Sequence, residues 1–196
     1  VVANSWSGPQ YGLVSADKGA SRVAVEGWLT LDAAKKVFAD AGLDFNTEKA
    51  NAMKGPYNKA MDLKASVTVK NTFKKSESNN VIATLPGAEF PDEHIIYTAH
   101  WDHLGKDESK EGDQIYNGAH DNATGTAAML AMAKAYSALS PAPKRSVSFL
   151  VVTAEEQGLL GSKFYASNPV IPIENTVANI NMDAMNVLGK TKNVAV

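Results

Sequence analysis

Hydrophobic and polar positions are irregular over the first third of the chain and become regular from Leu63 onward. Val23 to Leu29 reads as a short strand. Thr30-Leu31-Asp32 opens a helix over Ala33 to Ala41 that Gly42 stops, and Asn46-Thr47-Glu48 starts another that ends near Gly55-Pro56. Ala65 to Lys70 alternates apolar and polar side chains as a half-buried strand would. The polar stretch Lys74 to Asn80 turns the chain into a second strand, Val81 to Leu85. Three buried apolar runs follow, at His94–Ala99, Ser146–Val152 and Val177–Met182. Between them lie two helical stretches, Ala123–Leu139, stopped by Ser140-Pro141, and Leu159–Ser167. Met129 and Met132 fall on the first of these and read as core packing. The order strand, helix, strand, helix, strand predicts an α/β fold, a three-layer α/β/α arrangement around a mixed, mainly parallel central sheet.

Composition narrows the function classes. A net charge of −2 with 20% charged residues gives no electrostatic ground for binding nucleic acid or an anionic membrane surface. No apolar run approaches the roughly 20 residues that a transmembrane helix needs. Cysteine is absent, which excludes disulfide frameworks and cysteine zinc sites and agrees with a periplasmic or secreted location. Asn193 to Val196 reads as the opening of a strand, so the chain is expected to be a piece of a longer protein.

The chemistry collects where strands run into loops. In open α/β sheets ligands bind at the carboxyl ends of the strands. The strand from His94 ends in His100-Trp101-Asp102-His103, and the strand from Ser146 ends in Glu155-Glu156. The strand from Val177 ends in Asp183, and the loop before the first long helix ends in His120-Asp121-Asn122. Imidazole and carboxylate ligands without cysteine match a catalytic zinc site better than a structural one. An extended backbone would put His100 and Asp102 on one side, letting Asp102 accept the second imidazole N–H. Of the adjacent acids, a dication relieves the repulsion on Glu156 while Glu155 stays free as a general base. Each feature has a structural alternative when taken singly. Asp121-Asn122 suits a helix N-cap, Glu155-Glu156 suits a helix dipole, and His94 and His103 read as structural histidines. Those alternatives do not predict four such groups at the ends of one sheet.

In their order and spacing these segments resemble the motifs of one family. Thr98 to Gly105, Asn117 to Gly125, Thr153 to Ser162 and Asn181-Met182-Asp183 are similar to the co-catalytic zinc exopeptidases that include bacterial leucyl aminopeptidase and glutamate carboxypeptidase. The resemblance implies that Asp121 bridges two zinc ions, His100 and Glu156 complete one, and Asp183 binds the other. It implies Glu155 as general base, Asp102 as partner of His100, and a cis peptide bond between Asp121 and Asn122. The family supplies a further histidine, far downstream, to the zinc that Asp183 binds, and none of the four histidines here holds that place.

The expected function is hydrolysis of N-terminal residues from peptide substrates, with carboxypeptidase action as an alternative. Relatives with other roles are the single-zinc glutaminyl cyclase and the transferrin receptor, whose peptidase-like domain has lost its ligands. Residues 1–62, through Gly27-Trp28-Leu29-Thr30 and the helix after it, resemble the tail of a protease-associated insertion. Residues 63–196 would then be the N-terminal part of the catalytic domain.

Overall fold

The structure, a computed structural model, describes residues 9–186 and residue 189. The strand expected at Asn193 to Val196 lies outside the described residues. The chain divides into two compact units, one mainly Val14–Lys75 and one mainly Ser76–Val196.

The first unit holds helices α1 (Leu31–Asp40) and α2 (Phe45–Ala52). Thr30 caps α1 by accepting from the Ala33 amide, and Asp44 caps α2 by accepting from the Thr47 amide. Phe38 and Phe45 meet edge to face at 5.2 Å across the turn between them. The strands expected at Val23–Leu29 and Ala65–Lys70 are absent. Alternation alone does not make a strand when no neighbouring strand offers a hydrogen-bonding edge. Val67 and Val69 accordingly stay exposed.

The second unit is built on a four-stranded sheet. Its strands are β1 (Val81–Leu85), β2 (Phe90–His100), β5 (Arg145–Val152) and β6 (Thr176–Asn181), in the order β1-β5-β2-β6. β5, β2 and β6 run parallel, and β1 closes one edge antiparallel to β5. The mixed, mainly parallel sheet therefore agrees with the sequence reading. A two-stranded ribbon, β3 (Gly105–Lys106) with β4 (Ile115–Tyr116), lies in the loop after β2.

The strand period of two gives the sheet two apolar faces. On one, Tyr97, Ala99, Val147 and Phe149 pack under Met129, Met132 and Tyr136 of α3 (Ala123–Ser137). On the other, Ile96, Leu150 and Val152 pack with Ile171 and with Tyr165 of α4 (Leu160–Ser167). Helices on both faces make the three layers. The two serines of β5 are buried and fully engaged. Ser146 Oγ donates to the Pro91 carbonyl at 2.7 Å, and Ser148 Oγ lies 3.0 Å from His94 Nδ1 and 2.9 Å from Thr84 Oγ1. His94 is therefore a structural histidine, as its sequence position suggests.

Register decides where the site forms. His100 pairs with Val152 and Thr98 with Asn181, so the three parallel strands end at one level. The residues just past those ends, 101–103, 153–156 and 182–183, are brought to one edge of the sheet.

Candidate metal centre

His100 closes β2 and its side chain is 3% exposed. Its Nδ1 lies 2.9 Å from the backbone carbonyl of Asp102 and donates to it. That bond fixes the tautomer and leaves Nε2 as the free lone pair. Nε2 sits 2.9 Å from Asp121 Oδ1, 3.3 Å from Asp183 Oδ1 and 3.9 Å from Glu155 Oε2. The expected imidazole–carboxylate bond from His100 to Asp102 does not form, since Asp102 Oδ1 is 4.0 Å away. β2 stops at His100, so strand alternation no longer governs Asp102. Its carboxylate instead accepts the Glu155 backbone N–H at 3.1 and 3.3 Å.

Asp121 sits immediately before the helix cap. The cap is Asn122, which accepts the Gly125 N–H at 3.0 Å and donates to the Met182 carbonyl at 2.9 Å. One buried amide thus joins the residue after Asp121 to the residue before Asp183. Thr124 adds a second tie, its Oγ1 donating to the His120 carbonyl at 2.6 Å and accepting the Met185 N–H at 3.0 Å. His120 Nε2 lies 3.0 Å from the Met185 carbonyl, which gives that histidine a structural role. The Asp121–Asn122 peptide bond is cis, as the resemblance implied.

Glu155 and Glu156 occupy the turn between β5 and α4. Ala154 (φ 52°) and Leu159 (φ 62°) carry left-handed backbone in that turn, and the amides of Gly158 and Leu159 donate to the Glu155 carbonyl at 2.9 and 2.8 Å. The helix begins only at Leu160 and has no acid in its first turn. These two glutamates therefore do not serve the helix dipole. Glu156 Oε1 lies 2.6 Å from His103 Nδ1.

The donors form two groups that share Asp121. His100, Asp121 and Asp183 make one, and His103, Asp121 and Glu156 the other. The resemblance paired His100 with Glu156, whereas the geometry pairs it with Asp183. β2 and β6 are direct neighbours, while Glu156 hangs from the turn after β5 on the other side of β2. His103, read from sequence as structural, joins the second group. Its signal in the sequence was its place in the same strand-to-loop junction, but an extended backbone would have pointed it away from His100.

Burial and charge set the proton affinities. Burial works against protonation of His100, yet the Asp102 carbonyl and the carboxylates of Asp183, Glu155 and Asp121 hold its pKa above the ordinary imidazole value. Glu155 is raised above the usual carboxylate range, first by burial and then by Glu156, Asp183 and Asp121, with His100 opposing.

The site fits a metal ion on its own geometry. His100 Nε2, His103 Nδ1, Asp121 Oδ1 and Glu156 Oε1 are buried and make no hydrogen bond. Polar atoms in that state cost about 1–3 kcal/mol each unless a ligand engages them. Zinc–ligand bonds of about 2.0 Å in a tetrahedron place ligand atoms roughly 3.3 Å apart. The separations of 2.9 and 3.3 Å around His100 Nε2 approach that spacing.

Comparison with known proteins agrees with this chemistry. A mouse protein, aminopeptidase NAALADL1, is 33% identical over 122 residues, 60% of this chain and 15% of its own length. A probable zinc metalloprotease of the fungus Pyrenophora teres f. teres is 35% identical over 104 residues, 53% of this chain and 22% of its own length. The chain thus spans a fifth or so of these relatives. A crystal structure of a peptidase M28 precursor from Shewanella amazonensis overlays 53% of the chain and 22% of its own, at 33% identity and a TM-score of 0.44. The profile of peptidase family M28 matches residues 80–196, which include every residue of the two donor groups. By that match, which runs over more than half of its length, the chain belongs to peptidase family M28.

Proposed function

We propose that this chain is the metal-binding part of a two-zinc aminopeptidase that removes N-terminal residues from peptides. The observation that carries the reading is Glu155. Its carboxylate lies 3.9 Å from His100 Nε2, beside the donor groups but in neither of them. A carboxylate held next to ligands without being one suits a general base.

Asp121 would bridge two ions, with His100 and Asp183 on one and Glu156 on the other. Bound zinc supplies a Lewis acid that polarises the scissile carbonyl and acidifies the attacking water. Glu155 takes the proton from that water and returns it to the leaving amine. Asp102 holds the Glu155 backbone and fixes the His100 tautomer through its carbonyl, acting as a positioning residue. Aminopeptidase rather than carboxypeptidase action is supported by the name of the mouse relative. Among the described residues no helix is long and apolar enough to cross a membrane. The absence of cysteine supports a periplasmic or secreted setting. Residues 1–62 are assigned to the tail of an inserted domain on their sequence resemblance.

The test replaces Glu155 with Gln and follows hydrolysis of aminoacyl p-nitroanilides together with zinc content. Loss of a general base costs about 10²–10⁴-fold in turnover. Turnover within a few fold of the original sinks the base assignment, and loss of zinc makes Glu155 a ligand instead.

A further inference from the structure

We propose that His103 is a protein ligand of the second metal ion, binding through Nδ1 beside Glu156 and the bridging Asp121. This rests on the two-zinc reading above and adds to it a residue that the motif comparison left aside.

Three observations carry the assignment. First, His103 Nδ1 and Glu156 Oε1 lie 2.6 Å apart, yet both are buried and neither makes a hydrogen bond. An ordinary histidine–glutamate ion pair at that separation would direct its N–H along the contact. Two donor atoms turned toward a common point instead are arranged as ligands are. Second, Asp121 Oδ1, the third donor of the group, is also buried and without a hydrogen bond. Third, the ring is held in place. A Cβ on Gly118, whose φ is +63°, would come within 3.0 Å of His103 Cβ and 3.2 Å of Cγ. Tyr116 meets the other side edge to face at 6.3 Å, and the Lys110 ammonium lies 3.6 Å from the Tyr116 ring centroid. A side chain packed between a glycine backbone and an aromatic ring is presented in one orientation, as a ligand should be.

Charge favours the same conclusion. The first group supplies one imidazole and two carboxylates, and the second, with His103, supplies the same. Two carboxylates, one of them shared, would otherwise be the second ion's protein ligands in this chain. On loading, Nδ1 and Oε1 would open from 2.6 Å toward the roughly 3.3 Å of a tetrahedral zinc.

The test is zinc titration by calorimetry with elemental analysis, on the chain and on its His103→Ala and His103→Gln variants. The chain is expected to take up two zinc ions. Each variant is expected to keep one at unchanged affinity and to bind the second at least about 100-fold more weakly, since even an outer partner of a ligand is worth about 10–100-fold. Long-range proton–nitrogen spectra of the unaltered chain supply a measurement that needs no variant. The Nδ1 resonance of His103 should move with the second equivalent of zinc. Unweakened binding of both ions by a folded variant, or an unmoved Nδ1 resonance, would overturn the assignment. So would uptake of one ion alone by the unaltered chain, whereas uptake of none would refute the two-zinc function as well.

Discussion

Gly125 offers a substitution for which two physical effects predict opposite signs. It is the third residue of α3, and replacing a helical glycine with alanine ordinarily stabilises a protein by about 0.5–1 kcal/mol. Here the added Cβ would stand 2.4 Å from Asn122 Oδ1 and 2.6 Å from the Met182 carbonyl oxygen. Neither neighbour is a free end, because Asn122 is buried and spans the gap by hydrogen bonds to Gly125 and Met182. To make room, the helix terminus and the end of β6 must separate. Overpacking of this kind costs about 1–3 kcal/mol, and disturbing the Asn122 cap costs about 1 kcal/mol more. The clash outweighs the propensity gain, so Gly125→Ala should lose about 1–3 kcal/mol, a drop of roughly 2–12 °C in Tm for a chain of this size. Asp121 precedes the cap and Asp183 follows Met182, so the same shift should weaken zinc binding about tenfold or more. Thermal unfolding with and without zinc measures the first effect, and competition against a chromophoric chelator the second. In an Asn122→Ala background part of the clash is already gone, so the two losses should fall short of additive. A Gly125→Ala protein as stable as the original, with unchanged zinc affinity, would show that this contact does not couple the helix to the site.

Zinc at 100 times its Kd should stabilise the folded chain by about 2.7 kcal/mol, and His100→Ala should abolish most of the thermal shift that reports it. Because the folded-state pKa of His100 is raised, protons should compete with zinc into and above the ordinary imidazole range, and affinity should climb with pH across that window in a calorimetric series. The Tyr97 phenol, which shares a hydrogen bond with Tyr136, is pushed up to about 12. Its phenolate absorbance should therefore appear well above pH 10, and unfolding should become easier as pH rises from about 10, where the unfolded chain already releases that proton. Gly161→Ala should destabilise strongly, since the new Cβ would meet the Thr153 carbonyl at 2.2 Å and Asn80 Oδ1 at 2.6 Å. Unfolding curves that match the original would contradict the close packing of α4 on β5.

Much of the second unit was legible because each of its apolar runs has a partner in the sheet. Val81–Leu85 was read without error, and the strands and helices after it were placed to within a few residues. The strand at Ala65–Lys70 was misread for the complementary reason, as its alternating pattern met no neighbouring edge. Within the site, residue types and strand ends located the donors, but not their grouping. Whether His100 faces Asp183 or Glu156 depends on strand order, and strand order is a long-range property that no local pattern encodes. His103 and the Asp102 carbonyl were missed because the chain leaves the extended state at Trp101, where side-chain parity stops being informative.

The double grip of Asp102 bears on how the site withstands thermal motion. Its carbonyl holds an imidazole from β2 while its carboxylate holds an amide from the turn after β5. If that edge of the sheet breathes, His100 and Glu155 are displaced together. The length that matters for proton transfer, from base to ligand, then fluctuates less than either group does against the rest of the protein. Accuracy at the reacting atoms need not come from rigidity of the whole edge, because a shared reference point makes the errors of the two partners the same error.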